Sequence, residues 1–206
     1  MQQMLITDGT HREDLFEKLK RACEAGVNTI QIREKTMEAQ VLYELTARLV
    51  PIAAAHQVTL IVNDRIDIAI AAKADGVHLP EEGLSPAIAK QLNSFLIVGC
   101  SVHSLEKALE KEAEGADYLV FGPVFPTTCK CCVMPQGIAN LALVASSVKI
   151  PVIAIGGIGS SQIPSCIEAG AKGIAGISYY WNSPEIETGI LANAKALSHT
   201  RQPVHS

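Results

Sequence analysis

Aromatic side chains are scarce in this sequence, only 4% of its 206 residues, and charged ones are thin at 18%. Hydrophobic residues make up 48%, so a large core must be filled by small aliphatic side chains rather than rings. No apolar stretch reaches the roughly 20 residues of a membrane span, which excludes a helical membrane protein. There is no run or stripe of Lys and Arg, and the formal net charge is −4. The phosphate-neutralising surface of a nucleic-acid binder is therefore missing. The N-terminus, Met1 to Ile6, has no charged n-region leading into an apolar h-region, so no secretory signal is expected. A cytoplasmic setting is expected instead, with the six cysteines reduced. Cys23 and Cys166 fall on apolar helix faces and read as small core residues. Cys129, Cys131 and Cys132 share one loop, without the paired spacing or histidines of a zinc site.

What is present is an alternation, eight times over, of short apolar runs and longer amphipathic stretches. The strand candidates are Met4–Ile6, Thr29–Arg33, Thr59–Asn63, Gly76–Leu79, Leu96–Ser101, Tyr118–Phe121, Val152–Ile155 and Gly173–Ile177. Leu15, Leu19, Ala22 and Cys23 make one helical face, and Leu42, Leu45 and Leu49 another. Thr10 and Glu13 have capping-box spacing ahead of the first helix. Four stretches read alike, at Glu24–Gly26, Ala74–Gly76, Glu114–Ala116 and Glu168–Gly170. In each, a glycine is expected to end a helix in a left-handed turn before the next strand. Alternating units imply a parallel sheet covered by helices. A doubly wound open sheet is the rival, but the first strand is followed by no Gly-rich loop. One (β/α)8 TIM barrel over residues 1–206 is the expected fold, with Thr200–Ser206 a frayed tail.

In such a barrel, chemistry sits where the strands end, and the polar residues of this chain gather there. Gln31, Arg33 and Lys35 lie on one side of strand 2, and two cations in a row call for an anion such as a phosphate or diphosphate. An exposed strand end with an Arg–Glu surface pair is the plainer alternative. Asn63 and Asp64 close strand 3; Asp64 suits either a magnesium ion or the cap of the next helix. After strand 5 stand Ser101 and His103, the one histidine with a route to chemistry, though a structural role is as ordinary. Strand 6 runs into a loop with Pro123, Thr127, Cys129 and Lys130, which is suited to an anion. Gly156 and Gly157 follow strand 7, and Ile177 and Ser178 follow strand 8. Glycine backbone and a helix start at this corner are a common phosphate site.

These segments together resemble the thiamin phosphate synthase/TenI superfamily: QIREK at Gln31–Lys35, VNDRIDIA at Val62–Ala69, GVHLP at Gly76–Pro80, SVHSLE at Ser101–Glu106, FGPVFPTTCK at Phe121–Lys130 and IAIGGI at Ile153–Ile158. The resemblance implies one of two activities. The synthase joins hydroxymethylpyrimidine diphosphate to thiazole phosphate with magnesium, releasing pyrophosphate. The TenI type is a tautomerase that aromatises a thiazole carboxylate phosphate and needs no cofactor. Carried over from the synthase, Gln31, Arg33, Lys35 and Lys130 grip diphosphate, and Asn63, Ser101 and Thr127 contact substrate. Asp64 binds magnesium, while Gly157, Ile177 and Ser178 take the thiazole phosphate. Two positions depart from the synthase pattern. Gly83 stands where the second magnesium carboxylate is expected, leaving Glu82 as substitute, and Cys129 stands where a threonine is usual. HLP-x-x-G-L-S-P at His78–Pro86 and T-x-C-K at Thr127–Lys130 resemble the TenI type, although its proton-transfer histidine falls at Pro123. The expectation is thus a tautomerase acting on a phosphorylated thiazole, with Lys130, Cys129 or His103 moving the proton and a homodimer as its assembly. The magnesium-dependent synthase is the alternative, and a non-catalytic regulatory barrel a further one.

Overall fold

The computed structural model describes residues 2–10, 13–127, 134–183 and 185–199. Strands β1 (Gln2–Ile6), β2 (Thr29–Ile32), β3 (Thr59–Asn63), β4 (Gly76–Leu79), β5 (Ile97–Val102), β6 (Tyr118–Phe121), β7 (Val152–Ile155) and β8 (Gly173–Gly176) pair in parallel, in sequence order. The barrel closes where β8 pairs with β1, Gln2 opposite Gly173 and Met4 opposite Ala175. The (β/α)8 barrel read from the sequence is the fold observed. Its helices are α1 (Leu15–Glu24), α2 (Ala39–Ala55), α3 (Ile66–Ala72), α4 (Pro86–Leu92), α5 (Leu105–Ala113), α6 (Gly137–Ser147), α7 (Ile163–Glu168), a short α8 (Ser178–Trp181) and α9 (Ile186–His199).

Period-two alternation sorts the strands into an outer and an inner row. Leu5, Ile30, Ile32, Leu60, Val62, Val77, Leu79, Val98, Leu119, Phe121 and Ile174 face the helices and join Leu15, Leu19, Leu42 and Leu49 in the main core. Cys23, Cys100 and Cys166 are buried there as free thiols, and burial pushes their pKa values up, to about 11, about 12 and about 11. The inner row is divided. Met4, Ile6, Tyr118, Val120, Ile153 and Ala175 make an apolar cluster from β6 round to β1. Across from it, the same parity points Gln31, Asn63, His78 and Ser101 inward from β2 to β5.

The seam between the chain's two ends is tied by side chains. Trp181 donates its indole N–H to the Ile6 carbonyl at 2.8 Å, and Gln3 donates its amide to Ile190 at 2.9 Å, both buried. On the outside, the Arg21 guanidinium of α1 pairs with Glu185, just before α9, and with Glu187 in its first turn. Two local expectations fail. Thr10 does not cap α1; its hydroxyl donates to Asp8 at 2.7 Å, and the helix starts after Asp14 with no side-chain cap. Three of the four repeated glycines are left-handed as expected, Gly26, Gly115 and Gly170, with φ of 85°, 92° and 97°. At the fourth, Lys73 takes the left-handed turn and Gly76 begins β4. Gly76 is small for another reason: a Cβ there would lie 2.1 Å from the Ile97 carbonyl oxygen.

Candidate active site

The C-terminal ends of the strands open into one cavity of about 1310 Å3. This exceeds the roughly 300–1,000 Å3 of an ordinary single-ligand pocket, leaving room for two small molecules side by side. Arg33, Lys35 and Asp64 line it on one flank and Ser101, His103 and Thr127 on the next. Gly156, Gly157, Ile177 and Ser178 line the opposite corner, and Gln31 and Asn63 its floor. Cys129 and Lys130 lie outside the described residues, as do Cys131 and Cys132.

Arg33 and Lys35 have no carboxylate partner among the described residues, which removes the Arg–Glu surface pair as an account of this strand end. The neighbouring Glu34 is buried at the edge of the same cavity and accepts from the Gly9 N–H at 3.3 Å. Thr7 fixes the Arg33 backbone, accepting its N–H at 2.8 Å. Gln31 is 2% exposed and donates its amide to Asn63 at 3.0 Å. Its own Oε1 is buried without a partner. A buried acceptor left unpaired costs about 1–3 kcal/mol, which a donor on a bound ligand recovers.

Asp64 sits at φ 63°, a left-handed conformation uncommon outside glycine, and its N–H donates to the His78 carbonyl at 2.9 Å. The helix-cap alternative does not hold for it, because Arg65 is the N-cap of α3 and no side chain caps there. The β4–α4 turn corrects a second expectation. Glu82 is 80% exposed, with Lys107 at 3.9 Å, whereas Glu81 lines the cavity. Glu81 Oε2 accepts from both the His103 backbone N–H at 2.6 Å and its Nδ1 at 2.9 Å. His103 is thus oriented by a carboxylate at the cavity wall.

His78 is the residue the sequence reading passed over. It is buried at the cavity floor, 3.2 Å from the Tyr118 hydroxyl through Nδ1 and 2.9 Å from Ser101 Oγ through Nε2. Burial, with the Arg33 charge adding to it, lowers its pKa to about 3. The signal was present in the alternation Val77-His78-Leu79, which turns His78 to the same face as Gln31 and Asn63.

At the far corner Gly156 and Gly157 are left-handed, with φ of 98° and 65°. A Cβ on Gly157 would lie 2.4 Å from the Pro126 carbonyl oxygen and 2.8 Å from Phe125 Cβ. Glycine here is required by the close approach of the loop after β6, which is pinned by the Phe125 N–H to the Gly156 carbonyl at 3.0 Å. Beside it, the Tyr180 and Trp181 N–H groups of α8 donate to the Ile177 carbonyl at 3.0 and 3.2 Å, while those of Ser178 and Tyr179 have no acceptor among the described residues.

A closed (β/α)8 barrel with cations that lack carboxylate partners among the described residues on one flank and a glycine corner on the other has the arrangement with which barrels of this class commonly bind phosphate groups at their strand ends. Residues 3–179 match the family model described as thiamine monophosphate synthase, and the chain belongs to that family. A thiamine-phosphate synthase of Shouchella clausii is 38% identical, covering 92% of this chain and 91% of its own length. That of Pyrococcus furiosus is 38% identical, covering 88% and 87%. A solved structure of thiamine phosphate pyrophosphorylase from Pyrococcus furiosus superposes with a TM-score of 0.89 at 35% identity, over 98% of this chain and 97% of that one. These likenesses overturn the tautomerase expected from the sequence: along nearly their whole length, the relatives carry the synthase name. The chain belongs to a family of enzymes, and the names its relatives carry are those of a transferase and not of an isomerase.

Proposed function

We propose that this protein is a thiamine-phosphate synthase, joining hydroxymethylpyrimidine diphosphate to thiazole phosphate with release of pyrophosphate. The observation that carries the reading is Arg33 and Lys35, two cations without carboxylate partners among the described residues, facing a glycine corner across a cavity with room for two ligands. The reaction breaks the bond between the pyrimidine's methylene carbon and a diphosphate oxygen. It forms a bond from that carbon to the thiazole nitrogen, whose lone pair makes the new bond. No proton has to leave either partner, so the loss of a histidine at Pro123 is no obstacle to it.

The residues divide the work. Arg33 and Lys35 neutralise the diphosphate, with the Arg33 fork suited to two oxygens at once. Gln31 Oε1 requires an N–H donor, which an aminopyrimidine supplies and a phosphate does not. The backbone at Gly156, Gly157 and Ser178 takes the thiazole's phosphate, while the apolar wall of Val120, Ile155 and Ala175 borders the same space. Magnesium is commonly held by one or two carboxylates together with substrate phosphates. Among the described residues no cluster of three or more His, Cys, Asp or Glu is placed for a metal, yet Asp64 and Glu81 both line the cavity and fit that looser arrangement. Asp64, with Glu81 in place of the carboxylate missing at Gly83, would hold the ion, which when bound neutralises charge on departing pyrophosphate. Titration calorimetry with pyrophosphate, with and without magnesium, tests the site. Binding strengthened by magnesium and weakened about 10- to 100-fold in Arg33→Ala is expected; binding indifferent to both refutes the assignment.

A further inference from the structure

We propose that Tyr118, acting through His78, fixes the Ser101 hydroxyl as a hydrogen-bond donor to the anionic oxygens of the ligand. The arrangement starts from a register row. His78 of β4 lies opposite Gly99 of β5, which lies opposite Tyr118 of β6. All three share the inward parity, and the middle one has no side chain. The Tyr118 ring occupies that space: a Cβ on Gly99 would lie 2.0 Å from Tyr118 Cζ and 2.4 Å from its hydroxyl. The phenol therefore reaches across a strand to His78 Nδ1 at 3.2 Å, with the ring centroids 5.7 Å apart. His78 Nε2 continues to Ser101 Oγ at 2.9 Å; His78 borders the cavity floor but is only 3% exposed, and Ser101 is the member with part of its surface exposed there.

Counting protons gives the chain a direction. A neutral, fully buried imidazole has one N–H to divide between two partners. Burial also holds the Tyr118 phenol protonated, raising its pKa above the ordinary tyrosine value. Among the described residues, His78 Nδ1 is the one acceptor that hydroxyl has. If Nδ1 carried the proton, the phenol O–H would be buried without an acceptor, at a cost of about 1–3 kcal/mol. The proton therefore sits on Nε2 and is donated to Ser101 Oγ. The Ser101 proton, displaced from that direction, points into the cavity that Arg33 and Lys35 also line. In the reverse order Ser101 would turn a lone pair toward the anion and repel it. Tyr118 is thus a positioning residue that never touches the ligand. The inference rests on the functional reading in one respect, that the ligand's oxygens near Ser101 are anionic.

The test reads the tautomer directly. In protein carrying nitrogen-15 histidine, two-bond proton–nitrogen spectra distinguish Nε2–H from Nδ1–H, and the His78 signal is identified by its loss in His78→Gln. The expected result is a neutral Nε2–H ring, unchanged from about pH 5 to 8. An Nδ1–H ring, or one that titrates in that range, overturns the proposal, and this needs no variant of Tyr118 to fold. In Tyr118→Phe, the ring should populate both tautomers and pyrophosphate affinity should fall about three- to tenfold. In the double variant Tyr118→Phe/Ser101→Ala, affinity should be no weaker than in Ser101→Ala alone, since Tyr118 acts only through that hydroxyl. Additive losses, or a tautomer shift without a change in affinity, also overturn it. Should pyrophosphate bind nowhere while the Nε2–H ring is seen, the functional reading fails and the proton order stands.

Discussion

Arg33 shows why charge without a partner is informative. Its backbone is held by Thr7 while its guanidinium faces the cavity with no carboxylate among the described residues. Charge-assisted hydrogen bonds contribute about 1.5–3 kcal/mol each. Arg33→Ala should therefore weaken pyrophosphate binding about 10- to 100-fold in calorimetry. The urea midpoint should stay unchanged, because no interaction within the protein is lost. Arg33→Lys should recover only part of the affinity, since an ammonium lacks the two-pronged geometry. The two glutamates after β4 make a second pair of cases. Glu81→Gln should weaken manganese binding, followed by electron paramagnetic resonance, whereas Glu82→Gln, at an 80% exposed position, should leave it unchanged. Equal effects would return both residues to the surface. Restoring a carboxylate at position 83 is less simple than the sequence suggests, because a Cβ there would sit 2.9 Å from the Pro80 ring. At this scale the sequence was informative wherever a residue type is costly to bury, as with Gln31, Arg33 and Asn63. It was silent on which of two adjacent glutamates turns inward, since turn geometry decides that and not chemistry.

The elements explain why some glycines are replaceable and others are not. Gly157 combines a φ of 65° with the carbonyl of Pro126 only 2.4 Å from where a Cβ would be. Gly157→Ala should therefore cost about 1–3 kcal/mol of stability, seen in urea unfolding, and displace the loop after β6 along with phosphate affinity. A variant with weakened phosphate binding and an intact fold is not expected at this position. The strand bounds were legible because alternation and chain breaks both mark them; four of the eight strands match to the residue. The capping box was not, because the spacing of Thr10 and Glu13 is satisfied locally by Asp8 and the helix begins later. The inner row also predicts a pH response. His78 has a folded pKa of about 3, below its unfolded value near 6.5, so the unfolded chain binds the extra proton. Stability from its neutral burial is complete above about pH 6.5 and is lost as pH falls from there toward 3. Between pH 7 and 5 the wild type should lose about 2 kcal/mol more than His78→Gln in urea unfolding. Parallel acid limbs in the two proteins would contradict a neutral His78.

For the whole molecule, the barrel places two unlike walls around one cavity. The polar row from β2 to β5 and the apolar cluster from β6 to β1 face each other, with cations above the first and the glycine corner above the second. This division was legible in outline, because eight βα units and polar residues at successive strand ends can be read along the chain. The reaction was not. The departures at Gly83 and Cys129 pointed toward a tautomerase, yet a carboxylate lining the same cavity as Asp64 comes from Glu81, two residues earlier, where spacing alone does not place it. The central claim is the joining of two phosphorylated halves, and product formation tests it most directly. Purified protein incubated with hydroxymethylpyrimidine diphosphate, thiazole phosphate and magnesium should release one pyrophosphate for each thiamine phosphate formed, with neither product when magnesium is chelated. Absence of both products with intact, pyrophosphate-binding protein would contradict the account.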